Sequence, residues 1–450
     1  MKLLLFINLR SFSSEMSKIN SVRLKSKESF QSLLFEDSFF DLLRVLKFFK
    51  SFVPDLLKPL CYILAGWIYQ LYRNTKKLPV SNSRKYFTKV KNYYAAEVVS
   101  PEINWNIIKY PVSKDFTIPE INLYTIEDVF IVMGMSIITY RSKYYYVEED
   151  DLKIHVIPDE SLGINLHSFL QPHKINILSQ HKEVLKFSEA MVISCSLASN
   201  YCHWLSDYLP RIILFYRDKK NLSVPLILST SLHKNIISSI HSYNSKIFIH
   251  RVRNFSGLKI KKLFYISPVS YVPYNFRSRK ISNKYKSQIG FSRKFFKDFK
   301  DYYPTISLNK TFENVYLLRK SKVRKILNED QVIKALKKLG FLIIDPTKLS
   351  FLDQAIMFHS AKIIVSSAGA TFANIVFSNE KQVVVSLLSD NPDHGFSFFP
   401  NLSYVSSRCR IHFFFGTKTK HSIHEDFFIN ADLLANEIRM LSNFSSSKTV

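Results

Sequence analysis

At 450 residues and 46% hydrophobic content, the chain is long enough for two domains and too apolar to be disordered. Lys and Arg number 63 against 36 Asp and Glu, a net charge of +27 that favours a polyanion, an anionic membrane face or an acidic small molecule. Cys61, Cys195, Cys202 and Cys409 show neither CxxC nor metal-ligand spacing, so a zinc module is excluded and reduced, mostly buried thiols are expected.

Residues 1–95 read as a basic helical extension. Phe35, Phe39, Leu42, Leu43, Leu46 and Phe49 fall at helical spacing. With Leu60–Tyr72 and the basic tract Arg73–Lys77 they fit a helix lying on an anionic headgroup layer, or a hairpin packed on the protein body. No run reaches the roughly twenty apolar residues of a membrane span, and Leu60–Tyr72 is too short for one.

Residues 96–305 read as a first α/β domain. Short β-rich runs lie between Val129 and Val147, then Ala190–Cys195 is a strand and Cys202–Tyr216 a helix. Alternating strands and helices continue to Ile266, and Asn283–Tyr303 is expected as a Lys-rich connecting helix. Residues 306–415 alternate more cleanly. Strand Asn314–Leu318 leads to a basic loop, then to a helix with a capping box of Asn328 and Gln331, closed by Gly340. Strand Phe341–Ile344 and helix Ser350–Ser360 precede the β-branched run that meets Gly369, and Gln382–Leu388 is the next strand. Residues 416–450 form a tail whose helix, Asp432–Leu441, is expected to pack back on the first domain.

Two stretches carry chemistry. In Asn200–Arg211, helical spacing places His203, Asp207 and Arg211 on one face beyond a strand, an imidazole–carboxylate pairing suited to a general base. A partly buried structural pair is the equal alternative. In the second half, Arg319, Lys320, Lys322, Arg324 and Lys325 follow a strand and share its sheet edge with the Gly369 corner, where backbone N–H groups and cations suit a diphosphate. No D-x-D occurs, which removes the commonest metal–diphosphate device. Nothing resembles an RNP block, zinc spacing or a helix-turn-helix, so no specific nucleic-acid partner is expected.

NYCHWLSDYLPRI, YLLRKSKVRKILNEDQVIKALKKLGF and LSFLDQAIMFHSAKIIVSSAGATFANIVF, in this order over Ala190–Leu388, resemble glycosyltransferase family 61. The resemblance implies a GT-B-like α/β fold: two Rossmann-like domains facing a cleft. It implies a metal-independent inverting glycosyltransferase with no cofactor beyond its co-substrate, a nucleotide-sugar of the UDP-sugar type. The acceptor would be a glycan or glycolipid in surface polysaccharide synthesis, and the place the cytoplasm, peripheral at the inner membrane face. Asp207 is the preferred base with His203 orienting it, or the reverse. Arg319, Arg324, Asn328, Glu329, Gly369, Ala370 and Asn374 would hold the donor. The chain departs from the family pattern at Ala368, usually His, at Ser386, usually Glu, and at Asp330-Gln331. These departures motivate the alternative, a catalytically impaired relative that binds or scaffolds.

Overall fold

The computed structural model describes residues 76–81, 87–100, 116–134, 137–140, 143–146, 174–177, 184–254, 256–271, 289–307, 311–321, 323–391, 397–419 and 425–446. The amphipathic segment 35–49 and Leu60–Tyr72 lie outside these residues, so the headgroup-layer reading falls there too.

The first layer is a ten-stranded mixed sheet built from β1 (Lys76–Ser81), β2 (Thr88–Tyr94), β3 (Ile121–Val132), β4 (Ile137–Tyr140), β5 (Lys143–Tyr146), β6 (Lys174–Ile177), β7 (Val184–Ile193), β8 (Leu226–Ser229), β9 (Ile249–Val252) and β10 (Gly257–Ile266). Its order is β9-β8-β7-β10-β3-β4-β5-β1-β6, with β2 also on β3. β9, β8, β7 and β10 form a parallel block and β1 pairs parallel with β5; the other pairs, β3 on β10 among them, are antiparallel. The first half is therefore not a purely parallel Rossmann-like sheet. Residues 76–81 and 88–94, expected in a helical extension, are strands. Thr88–Asn92 is exposed throughout and pairs with β3 through its backbone and a polar contact of Asn92 with Asn122, so its sequence carries no apolar alternation to betray it.

This sheet curls. β9 ends level with the end of β7, whereas β10 begins level with Val184, and only residues 253–256 join them. In a flat sheet those ends would lie about 14 Å apart across strands and about 30 Å along them. Curling closes the gap and gathers Val252, Leu258, Ile131, Met133 and Ala190 into one apolar cluster.

The second sheet contains β11 (Asn314–Leu317), β12 (Leu342–Ile344), β13 (Ile363–Ser367), β14 (Val383–Ser389), β15 (Arg410–Lys418) and β16 (Phe427–Phe428) in the order β12-β11-β13-β14-β15-β16. All pairs are parallel except the last. Alternate residues of the buried strands feed two clusters. Tyr316, Val365 and Val385 face helices Glu329–Lys338 and Ala431–Ser446, while Leu317, Ile364 and Val384 face helix Phe351–Ser360 and the 3-10 helix Ala370–Phe377. The terminal helix thus packs on the second sheet through Leu434 and Ile438, not on the first domain. Residues 427–446 complete this layer instead of forming a separate tail.

The two sheets share one core. The cluster holding Trp204, Leu209 and Phe215 of the first layer continues through Phe295, Phe299 and Tyr303 to Phe351, Phe372 and Phe377 of the second. The expected long connector is a short helix, Arg293–Phe296, with 3-10 turns Phe299–Tyr302 and Pro304–Ser307; its aromatics insert between the layers. No helix among the described residues is long and apolar enough to cross a membrane.

Candidate active site

In the second sheet the strand order reverses between β11 and β13, and ligands of open α/β sheets bind at the carboxyl edge of such a switch point. Arg319 follows β11 and Gly369 follows β13. Arg319 Nη1 donates to the Ala368 carbonyl at 2.5 Å and its Nε to the Val323 carbonyl at 3.3 Å. Burial, reinforced by the charge of Arg324, pushes Arg319 down to about 10. Arg324 is lowered too, by burial, and its Nε is shielded from solvent with no hydrogen-bond partner. Among the described residues neither guanidinium pairs with a carboxylate. Two desolvated like charges side by side raise the free energy of the unliganded protein, and an anion relieves both costs at once.

The local backbone explains this convergence. Arg324 has φ 58°, the left-handed region that a non-glycine residue occupies at a cost of about 1 kcal/mol. Ser367 Oγ, at the end of β13, donates to the Arg324 carbonyl at 3.1 Å and so fixes the loop over the sheet edge. Gly369 has φ −171°, open to any residue, so its requirement is space. A Cβ there would run into the Arg319 guanidinium. Ala370 begins the 3-10 helix, and Ala368 contributes its carbonyl, its side chain being buried.

The first layer reaches this edge through three consecutive residues. The Tyr201 hydroxyl donates to Asn374 Oδ1 at 2.8 Å. The charge of Arg324 reaches the buried Cys202 thiol, which burial pushes well above its usual range. The His203 ring meets Phe398 edge-on, centroids 6.3 Å apart. His203 is half-buried, and desolvation pushes its imidazole down to about 4. At neutral pH it is uncharged and able to accept a proton.

Asp207 is held in an ion pair with Arg211. The helix is α over Tyr201–His203, π over Trp204–Tyr208 and α again over Leu209–Tyr216. The π-turn begins directly after His203, and Asp207 within it pairs with Arg211 four residues on. The Asp207 carboxylate pairs with buried Arg211 through both oxygens, and Oδ1 also accepts from the Val269 N–H at 3.2 Å. That is a structural pin between helix and sheet edge, with its lone pairs already engaged.

Three donor-site expectations move elsewhere. Asn328 makes no side-chain cap bond to its helix; its amide donates to the Ile429 carbonyl at 2.7 Å and accepts from the Ile429 N–H at 3.0 Å. Glu329 accepts from the Tyr316 hydroxyl at 2.9 Å. Asn374 is fully buried, donating to Gln354 Oε1 and the Thr371 carbonyl while accepting from Tyr201, so it joins the layers. Ser386 lies within β14 with its hydroxyl buried in the core and unpaired, not at the strand end. Tyr201 and Cys202 went unmarked in the sequence because their roles depend on contacts from the other layer, and Ser367 because its partner, the Arg324 carbonyl, lies 43 residues away in the chain. Among the described residues no three His, Cys, Asp or Glu side chains gather as a metal site.

The fold and these residues define a class: an α/β protein whose second sheet offers a guanidinium-lined switch point to an anion. The family model described as Glycosyltransferase 61 matches residues 201–385, which assigns this stretch to glycosyltransferase family 61 and bears out the resemblance of the three sequence blocks. The match takes in the Tyr201–His203 turn, both arginines and the Gly369 corner, and stops one residue before Ser386. No curated protein matches the chain.

Proposed function

We propose that the protein is an inverting glycosyltransferase of GT-B-like organisation, with a nucleoside diphosphate-sugar as donor and a hydroxyl of a glycan or glycolipid as acceptor. The observation that supports this reading is the approach of the Tyr201–His203 turn, through Cys202, to Arg324 and its neighbour Arg319, two buried guanidiniums with no carboxylate partner among the described residues. Arg319 and Arg324 bind the diphosphate by charge-assisted hydrogen bonds and neutralise the charge that grows on it as the sugar departs. His203 Nδ1 or Nε2 takes the proton of the acceptor hydroxyl while its oxygen attacks the anomeric carbon. The bond to the diphosphate breaks on the opposite face, and this single displacement inverts the anomeric centre. The leaving-group charge is met by the guanidiniums, so the step draws on no metal. A UDP-sugar donor and a role in surface polysaccharide synthesis belong to this proposal.

The test is release of nucleoside diphosphate from a panel of nucleotide-sugars, with and without glycan acceptors. One donor should turn over with an acceptor-dependent rate, lost in Arg319→Ala. Saturable donor binding without turnover would favour the scaffold alternative, and no binding across the panel would remove the reading.

A further inference from the structure

The loop 319–328 carries five cations in sequence, two of them guanidiniums that repel each other, yet it holds Arg324 in a left-handed conformation at a buried edge. Such a loop opens unless it is fastened. Ser367 supplies one bond from β13. Arg319 adds a bond to the Ala368 carbonyl, and a further set comes from the segment Asp426–Ile429, beyond the residues matched by the family. Asp426 Oδ1 accepts from the Lys325 N–H at 2.8 Å, one residue after Arg324. The Phe427 N–H donates to the Lys325 carbonyl at 3.0 Å and its carbonyl accepts from the Leu327 N–H at 2.9 Å, a parallel bridge centred on Ile326. The paired bonds between the Asn328 amide and the Ile429 backbone close the clasp at 2.7 and 3.0 Å. Thr419 Oγ1, donating to the Asp426 carbonyl at 2.6 Å, holds the clasp itself in place.

We propose that Asp426 and Asn328 are positioning residues for diphosphate recognition, setting the arginine loop from a C-terminal segment that touches no ligand. The proposal rests on the reading of Arg319 and Arg324 as the diphosphate site. Asp426 acts through the Lys325 backbone: its carboxylate fixes the peptide that follows the left-handed residue, and with it the direction of the Arg324 side chain. Without it Arg324 relaxes to ordinary helical or extended angles and its guanidinium leaves the edge. Donor affinity then falls while His203 and the rate of the bound complex do not change.

The test is calorimetric titration of the full chain with UDP, alongside thermal melting and a kcat and KM determination for the donor. Asp426→Ala should weaken UDP binding about tenfold or more and raise KM with kcat nearly unchanged. Asp426→Asn retains the Oδ1 acceptor and should bind UDP within about twofold of the wild type, a rescue that bulk stabilisation by the charge does not predict. Should Asp426→Ala fail to fold, Asn328→Ala carries the same expectation. Arg319→Ala separates the two claims. Loss of UDP in Arg319→Ala with unchanged affinity in Asp426→Ala and Asn328→Ala would overturn the clasp and leave the diphosphate site standing. Unchanged affinity in Arg319→Ala and Arg324→Ala would overturn both.

Discussion

A glycine is read from sequence as freedom of φ or as room for a neighbour, and at position 369 the extended backbone leaves only the second. Gly369→Ala should therefore act through Arg319, displacing its guanidinium from the Ala368 carbonyl. Overpacking of this kind costs about 1–3 kcal/mol, and UDP affinity measured by calorimetry should fall with it. Full affinity in that variant would mean that Arg319 bends away without consequence. His203 makes a second residue-level prediction. Its folded pKa of about 4 lies below the unfolded value near 6.5, so the unfolded chain binds more protons between them. The stability contributed by keeping this imidazole neutral is present above pH 6.5 and is lost as pH falls towards 4. The same shift places the acid limb of kcat/KM well below 6, and a limb near 6.5 would show an imidazole in water.

At the scale of elements, the block Asn200–Arg211 was legible as a helix with chemistry on it, and its internal register was not. Spacing put His203 and Asp207 on one face of an unbroken helix; a π-turn over Trp204–Tyr208 instead follows His203 directly. That turn is imposed from outside, by buried Trp204 donating to Ser239 Oγ at 2.9 Å and by Asp207 reaching Val269. A single sequence records neither partner. Asp207→Ala takes the carboxylate from the buried Arg211 guanidinium, and removal of one member of such a pair costs about 3–5 kcal/mol. Thermal melting should show a large loss of stability in this variant. Unchanged melting with lost transfer would restore Asp207 as the base. Tyr201→Phe strips Asn374 of the donor to its Oδ1; a buried acceptor left unmet costs about 1–3 kcal/mol, readable in denaturant midpoints.

Across the whole molecule, alternation of strands and helices gave away two α/β layers, because the central strands of the second sheet are short apolar runs. What lay beyond the sequence were features that depend on pairing at a distance. The curl of the first sheet needs the register of β7 against β10, and the shared core needs Phe299 to meet Phe377 across 78 residues of chain. The terminal helix was legible as an element but not in its destination. A continuous apolar core between layers also bears on motion: interfaces of this kind resist hinge opening. The account's central claim is that a neutral imidazole from the first layer serves a diphosphate site in the second. Single-turnover transfer by His203→Ala, measured with UDP affinity on the same sample, tests it most directly. The rate should fall about 10²–10⁴-fold with affinity unchanged, the loss typical of a missing general base. A near-normal rate would contradict the claim and leave the Tyr201–His203 turn as architecture.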